Sequence, residues 1–361
     1  MDTFSALPAP AEIHSSETKR QILSLAQSRR IFPNAILVPS IFLLYGIGAF
    51  LSIQGEHLWA LPLSTILLTT SLLWAWYLAH DCAHLSVLRT KMANDLLGES
   101  LSLINGVSYT EFNAYRNDHV RHHSEKIDLL GVDLRKYSKH IGKNARKTLV
   151  LFESIYIPIL FVVIKYATIV EVVQHGAKAK KLRALASVVV NWSLYLILVH
   201  ISKFAAIPLL FAVCIRINVV RFVDAFQHSY SQIDPASRDR NRRNREYEFV
   251  NTFSIPVAKK FHWLNLFILN FGFHGAHHIA PTCPWYLLPR LNNVIQKSHS
   301  FSQAKSTAGR EWDISMIALI KNYHKHRIKR IFSKNEGNPY NVSGQFSLDH
   351  FTGAFTDKLL G

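Results

Sequence analysis

The chain has 361 residues, enough for one large domain or two small ones. Hydrophobic residues make up 49% of it, including 22 Phe, 13 Tyr and 7 Trp, and long uncharged stretches alternate with basic ones, which excludes a uniformly soluble protein. Lys and Arg number 41 against 24 Asp and Glu, a formal net charge of +17. This excess flanks the apolar stretches, so it reads as the cytoplasmic bias of membrane proteins and as attraction to anionic membrane lipids; no nucleic-acid partner is expected.

In chain order, the polar start from Met1 to Arg30 lacks the n-region and h-region of a cleaved signal, so insertion is expected to depend on the first span. Residues 31–54 carry no charge, and residues 58–79 carry none either; each is long enough to cross a hydrocarbon core of ~30 Å. Only Gln54, Gly55, Glu56 and His57 separate them, which predicts a tight helical hairpin. Arg29 and Arg30 precede the pair and Arg89 and Lys91 follow it, whereas the short turn has no Lys or Arg. That asymmetry predicts a cytoplasmic amino terminus and a cytoplasmic segment after His80.

Residues 85–147 are polar and basic, and three apolar stretches follow. Thr148 to Val173 contains Glu153, Lys165 and Glu171, and reads as an interfacial or buried helix. Ala184 to Ser202 and Phe204 to Val220 read as a second hairpin turning near Lys203, with spans at about 184–202 and 204–222 to set beside those at about 34–54 and 58–79. Trp263 to Phe273 is apolar but too short to cross, so a helix dipping into the interface is expected there. After Ser298 the chain is polar, with one amphipathic helix expected from Ile314 to Ile328. The expected organisation is a cytoplasmic segment 1–30, a membrane domain 31–298 and a cytoplasmic tail 299–361. Cys82, Cys214 and Cys283 are scattered and imply no disulfide framework.

Nine of the 19 histidines fall in four groups: His80-Asp-Cys-Ala-His84, His119-Val-Arg-His122-His123, a single His228, and His274-Gly-Ala-His277-His278. On a helix, positions i, i+3 and i+4 share a face, so each group can aim its imidazoles at one point. Two His-x-x-His-His motifs by accident would arise roughly once in a thousand such chains. With the predicted topology every group emerges on one side of the membrane, at or just beyond a span end. Nine imidazoles are too many for one four-coordinate zinc site and suit two five- or six-coordinate ions. Imidazole accepts Zn, Cu, Fe and Ni, so the ligand type alone does not name the metal. The remaining histidines lack ligand spacing apart from the weak His324/His326 pair.

These boxes, in this order and at comparable intervals, resemble the membrane fatty acid desaturase/hydroxylase superfamily. The resemblance runs from roughly Leu58 to Pro289. It includes Asn270-Phe-Gly-Phe-His274, Pro284-Trp285-Tyr286-Leu-Leu-Pro289, and His228 in Asp224-Ala-Phe-Gln-His228, where the family supplies a further ligand between its second and third boxes. It implies two Fe ions in a non-haem di-iron centre held by His80, His84, His119, His122, His123, His228, His274, His277 and His278, with O2 as co-substrate and a lipid acyl chain as substrate. In the acyl-CoA branch an Asn four residues before the extra His holds a metal-bound water. Here that position is Asp224, which with Asp81 is expected to act from outside the ligand shell. The three residues inside the first box place the chain nearer the acyl-lipid branch.

His274 stands where front-end desaturases typically carry Gln, and no His-Pro-Gly-Gly haem motif occurs. Electrons are therefore expected from an external donor such as ferredoxin or a small haem protein docking on the basic face. The sequence thus predicts an all-α membrane protein, with four transmembrane helices in two hairpins and a cytoplasmic helical cap holding a His-rich di-iron site. Its expected activity is O2-dependent acyl-chain desaturation; the alternative is a hydroxylase, ketolase or alkyne-forming relative on the same metals. A metal transporter fits less well, because its sites lie near the bilayer midplane in broken helices. Trp74, Trp76 and Tyr77 read either as lining for the acyl channel or as interfacial aromatics.

Overall fold

A computed structural model describes residues 16–297 and 316–330, except 29, 56, 58, 127, 130–141, 229, 231, 234–246 and 249–251. In chain order the elements are α1 (Ser16–Gln27), α2 (Ile31–Ile53), α3 (Ala60–Ala83), α4 (Lys91–Ile104), α5 (Phe112–Glu125), β1 (Asp128–Leu129), α6 (Lys143–Ser154), α7 (Ile159–His175), α8 (Lys178–Ile201), α9 (Ala206–Asp224), β2 (Gln232–Ile233), α10 (His274–Ile279), α11 (Leu288–Lys297) and α12 (Met316–Arg330). The fold is all-α apart from a two-residue parallel pairing of β1 with β2. That pairing ties the chain just after the second histidine box to the chain just after His228.

α2, α3, α8 and α9 are long and apolar enough to cross a membrane. Their outward faces carry Phe32, Leu43, Phe50, Ile66, Val189, Leu196 and Phe211, all exposed, as expected where lipid is the solvent. α3 is the central helix, packed against α2, α4 and α9. With no hydrophobic drive between helices in lipid, small and hydroxyl residues set the close approach. Ser64 Oγ donates to the Gly48 carbonyl at 2.6 Å and Ser71 Oγ to the Ile41 carbonyl at 2.7 Å, and a Cβ at Gly48 would come within 2.8 Å of Leu68 Cγ.

Two of the helices, α3 and α8, outrun the uncharged stretches from which the spans were predicted. α8 begins at Lys178, six residues before the predicted start at 184, because Lys and Arg are good helix formers and charge does not stop a helix. α3 likewise continues past residue 79 to Ala83, so the first histidine box lies on the span's own last turn.

Two segments differ in form from the expectation. Thr148 to Val173 is not one helix; it breaks into α6 and α7 at Ile155–Pro158, where Tyr156 takes φ 63° and Pro158 supplies no amide hydrogen. Glu153 at that corner is fully buried: its Oε1 accepts from the Leu160 amide at 2.9 Å and its Oε2 from Arg221 Nη1 at 2.9 Å. Trp263 to Phe273 forms only a 3-10 turn over His262–Ile268, stopped by Leu269 and Asn270 in the left-handed region at φ 46° and 59°. Its Phe261 and Trp263 remain exposed, as an interfacial segment requires. The polar start contains α1, whose Ile22, Leu25 and Ala26 pack on Phe273, Ala276 and Leu291 around the third box. α12 covers the expected amphipathic helix, shifted by two residues.

Candidate metal centre

Four elements deliver the histidines. His80 lies in the last turn of α3 and His84 caps it; His119, His122 and His123 share one face of α5; His228 follows α9; His274, His277 and His278 lie on α10. α3 and α5 are locked end to side by Arg116. Its Nε donates to the Ala83 carbonyl at 3.2 Å and its Nη2 to the Cys82 carbonyl at 3.1 Å, satisfying carbonyls that the end of α3 leaves without helical partners. Asp95 of α4 pairs with the same guanidinium.

The third box is held by backbone. Phe253 N–H donates to the Gln227 carbonyl at 2.8 Å and Ile255 N–H to the Gly272 carbonyl at 2.6 Å, so residues 252–255 bridge His228 and α10. A Cβ at Gly272 would collide with the Ile255 carbonyl, which is why the Phe-Gly-Phe-His stretch needs glycine there. The flanking Trp285 reaches back to the first hairpin: its amide donates to Asp81 Oδ2 at 3.2 Å and its indole to Asn34 Oδ1 at 3.0 Å.

All nine predicted histidines come together, in two groups. His80, His84, His119, His123 and His277 converge on one point, and His122, His228, His274 and His278 on another. Within the first group the Nε2 atoms of His84 and His119 are 2.8 Å apart, those of His123 and His119 3.2 Å, and those of His277 and His123 3.3 Å. In the second group His274 and His228 approach to 2.7 Å and His122 and His228 to 3.2 Å, again Nε2 to Nε2. Contacts this short need either a proton shared between the two nitrogens or a metal ion facing both lone pairs. Two nitrogens bound side by side to one ion at ~2.1 Å would be roughly 3 Å apart. The groups adjoin, with the His123 and His278 rings stacked at 4.0 Å.

Three of the rings have their second nitrogen held, the support a ligand histidine needs, whereas Nδ1 of His123 and of His274 is buried without a partner among the described residues. His80 Nδ1 lies 3.2 Å from Asp81 Oδ1, His278 Nδ1 3.1 Å from Glu248 Oε1, and His228 Nδ1 3.4 Å from Thr252 Oγ1. His278 Nε2 is buried with no hydrogen-bond partner among the described residues, as befits an atom reserved for a metal. Burial holds His119, His123, His274 and His278 well below the usual imidazole pKa, and lowers His84 to about 3, with neighbouring histidines adding to the effect. The neutral form is thus the resting one, and it is the form that binds metal.

Asp81 lies between His80 Nδ1 and the Trp285 amide. Asp224 is buried one turn before His228, where its charge joins burial in raising the Tyr115 hydroxyl. Trp76 and Tyr77 are buried inside the bundle: Tyr77 packs on Phe271 at 4.8 Å, and Trp74 donates its indole hydrogen to the Leu266 carbonyl at 2.9 Å. A pocket lined by Trp76, Ala79, Asn105, Val107, Phe112 and Tyr115 lies beside the histidines, and Tyr115 stacks on His119 at 5.7 Å.

Sequence reasoning missed Glu248, Tyr230 and Phe271. Glu248 lies in reach of both His123 and His278 and pairs with Lys126 at 3.6 Å. Tyr230 stacks on His228 at 4.3 Å, and the Phe271 ring meets His80 at 4.7 Å and His274 at 4.9 Å. Only Phe271 had a signal, its place in the third-box flank. The other two lack motif spacing. Cys82, Cys214 and Cys283 are free thiols.

The fatty acid desaturase family model matches residues 19–302. None of the curated proteins searched matches the chain. The chain belongs to the fatty acid desaturase family, a group of desaturase- and hydroxylase-type enzymes, and it is an integral membrane protein.

Proposed function

We propose that the protein is an O2-dependent di-iron desaturase that introduces a double bond into a lipid acyl chain. What carries the reading is the division of nine convergent imidazoles into a group of five and a group of four. Five nitrogens exceed a tetrahedral zinc site, and nitrogen-rich donors suit iron of higher coordination number. His80, His84, His119, His123 and His277 hold one iron, and His122, His228, His274 and His278 the other. Reduced by two electrons from the donor, such a centre would let O2 take two hydrogens from neighbouring methylenes and, with two protons, leave as two waters.

The protein's own work is placement. Trp76, Ala79, Phe112 and Tyr115 line the pocket that holds the chain next to the histidines, and positioning one carbon is the step that selects the bond. Phe271, wedged between the two groups and against Tyr77, keeps water from the reacting carbon. Buried Asp224, on the turn before His228, would act from outside the ligand set, balancing charge or orienting a ligand. The centre and both termini face the cytoplasm, where exposed Lys143, Arg146, Lys147, Lys178 and Lys180 offer a dock for an acidic electron donor such as ferredoxin or a small haem protein.

Expression in a host with its own reductant, followed by lipid mass spectrometry, tests this. A fatty acid short of two hydrogens supports desaturation, whereas one that has gained an oxygen atom assigns hydroxylation to the same site. Protein from that host should carry two irons per chain and no haem. Stoichiometric zinc would overturn the reading.

A further inference from the structure

A buried cation and a half-buried one lie in the helical bundle with no carboxylate against them among the described residues. Arg216, in the middle of spanning helix α9, is 1% exposed. Its guanidinium carbon sits 5.1 Å from the Trp76 ring and 5.8 Å from the Phe161 ring, and its Nε has no hydrogen-bond partner among the described residues. One turn along α7 from Phe161, the Lys165 ammonium lies 5.8 Å from the ring of Tyr109. Burial and the Arg216 charge together lower that ammonium to about 8. The Tyr109 hydroxyl is buried too and has no partner among the described residues. Three donors, two of them charged, therefore lie close together with aromatic rings but no oxygen acceptor against them among the described residues.

Leaving like charges together in a low-dielectric interior is costly, and an ionisable residue in a span marks a ligand or ion path unless it is paired. The neighbouring carboxylates are committed elsewhere or point away: Glu99 pairs with Arg183, Glu153 with Arg221, Glu111 and Glu171 are exposed, and Asp224, two turns along α9 from Arg216, acts on Tyr115. The site is also held in shape. Arg183 Nε binds the carbonyls of Ser108 and Thr110 at 2.9 and 3.1 Å, pinning the loop on both sides of Tyr109. That loop continues into Asn105 and Val107 of the acyl pocket, and Trp76 both lines the pocket and carries Arg216 over its ring. Asn105 Oδ1 is a further buried atom without a partner among the described residues.

We propose that Arg216, Lys165 and Tyr109 bind the anionic oxygen group of the lipid, a carboxylate or a phosphate, whose chain occupies the adjoining pocket. This rests on the pocket being the acyl pocket of the proposed enzyme. Anchoring the chain at its charged end would measure off the carbon that reaches the histidines, so the site would set which bond is oxidised.

Binding is measured on the purified protein in lipid nanodiscs through tryptophan fluorescence, with palmitate, hexadecanol and hexadecyl phosphate as probes. Palmitate or hexadecyl phosphate should bind about ten-fold or more tighter than the alcohol, and whichever does so identifies the group. Arg216→Met and, separately, Lys165→Met should abolish that preference while hexadecanol binding stays. Should Arg216→Met fail to insert, Arg216→Lys and Lys165→Met carry the test. Equal binding of all three probes to the unaltered protein, or an anion preference that survives the substitutions, would overturn the assignment. A protein that oxidises acyl chains yet shows no anion preference keeps the enzyme reading and loses this one.

Discussion

A histidine ring becomes a useful ligand when its second nitrogen is held, because that fixes both the tautomer and the direction of the lone pair. Asp81, Thr252 and Glu248 do this for His80, His228 and His278. Substituting His122 or His277 by Ala should therefore abolish product while the protein still inserts, with iron content falling below two per chain. Turnover like that of the unaltered protein would remove those residues from the ligand set. Glu248 reaches one ring from each group, so Glu248→Ala should lower metal affinity or activity by about 10- to 100-fold, with Glu248→Gln retaining more of it. Iron titration alongside activity separates this from loss of fold.

At the scale of elements, the centre depends on how the ends of α3 and α5 are clamped. α4 sets their spacing. Gly98 on α4 faces the Phe112 ring so closely that a Cβ would overlap it. Gly98→Ala must displace Phe112, and overpacking of this kind costs about 1–3 kcal/mol. The expected result is a melting temperature in detergent several degrees lower and a weaker grip on the metals, since Phe112 opens the helix that carries three of the nine histidines. The corner between α6 and α7 depends on a buried ion pair. Glu153→Ala would remove the carboxylate paired with the 2% exposed Arg221 side chain, and breaking a buried pair of this kind costs about 3–5 kcal/mol. An unchanged thermal transition in that variant would show the pair contributes nothing to holding α9.

For the molecule as a whole, an even number of crossings between His123 and His228 is what lets boxes about a hundred residues apart meet. With α8 and α9 as the intervening pair, tags on either terminus should be reached from one side of the membrane only, and the turn at Gln54–His57 from the other. Labelling of single introduced cysteines in sealed vesicles checks this. Termini found on opposite sides would break the topology and with it the cytoplasmic dock for a reductant.

The sequence alone determined the class of architecture, the four helices long and apolar enough to cross a membrane, and which nine histidines come together. Those features are carried by local composition and by i, i+3, i+4 spacing, which survive without knowing what packs on what. It also directed attention to the Trp285 flank and to Asp81. Only the tertiary structure decided how the nine divide into five and four, because rings from one box go to different groups: His122 parts from His119 and His123, and His277 from its box partners. Glu248, Tyr230 and the Arg216–Lys165–Tyr109 cluster were illegible for the same reason. They act on partners distant in sequence, and the contacts that give them meaning form only when packing brings separate helices and loops together.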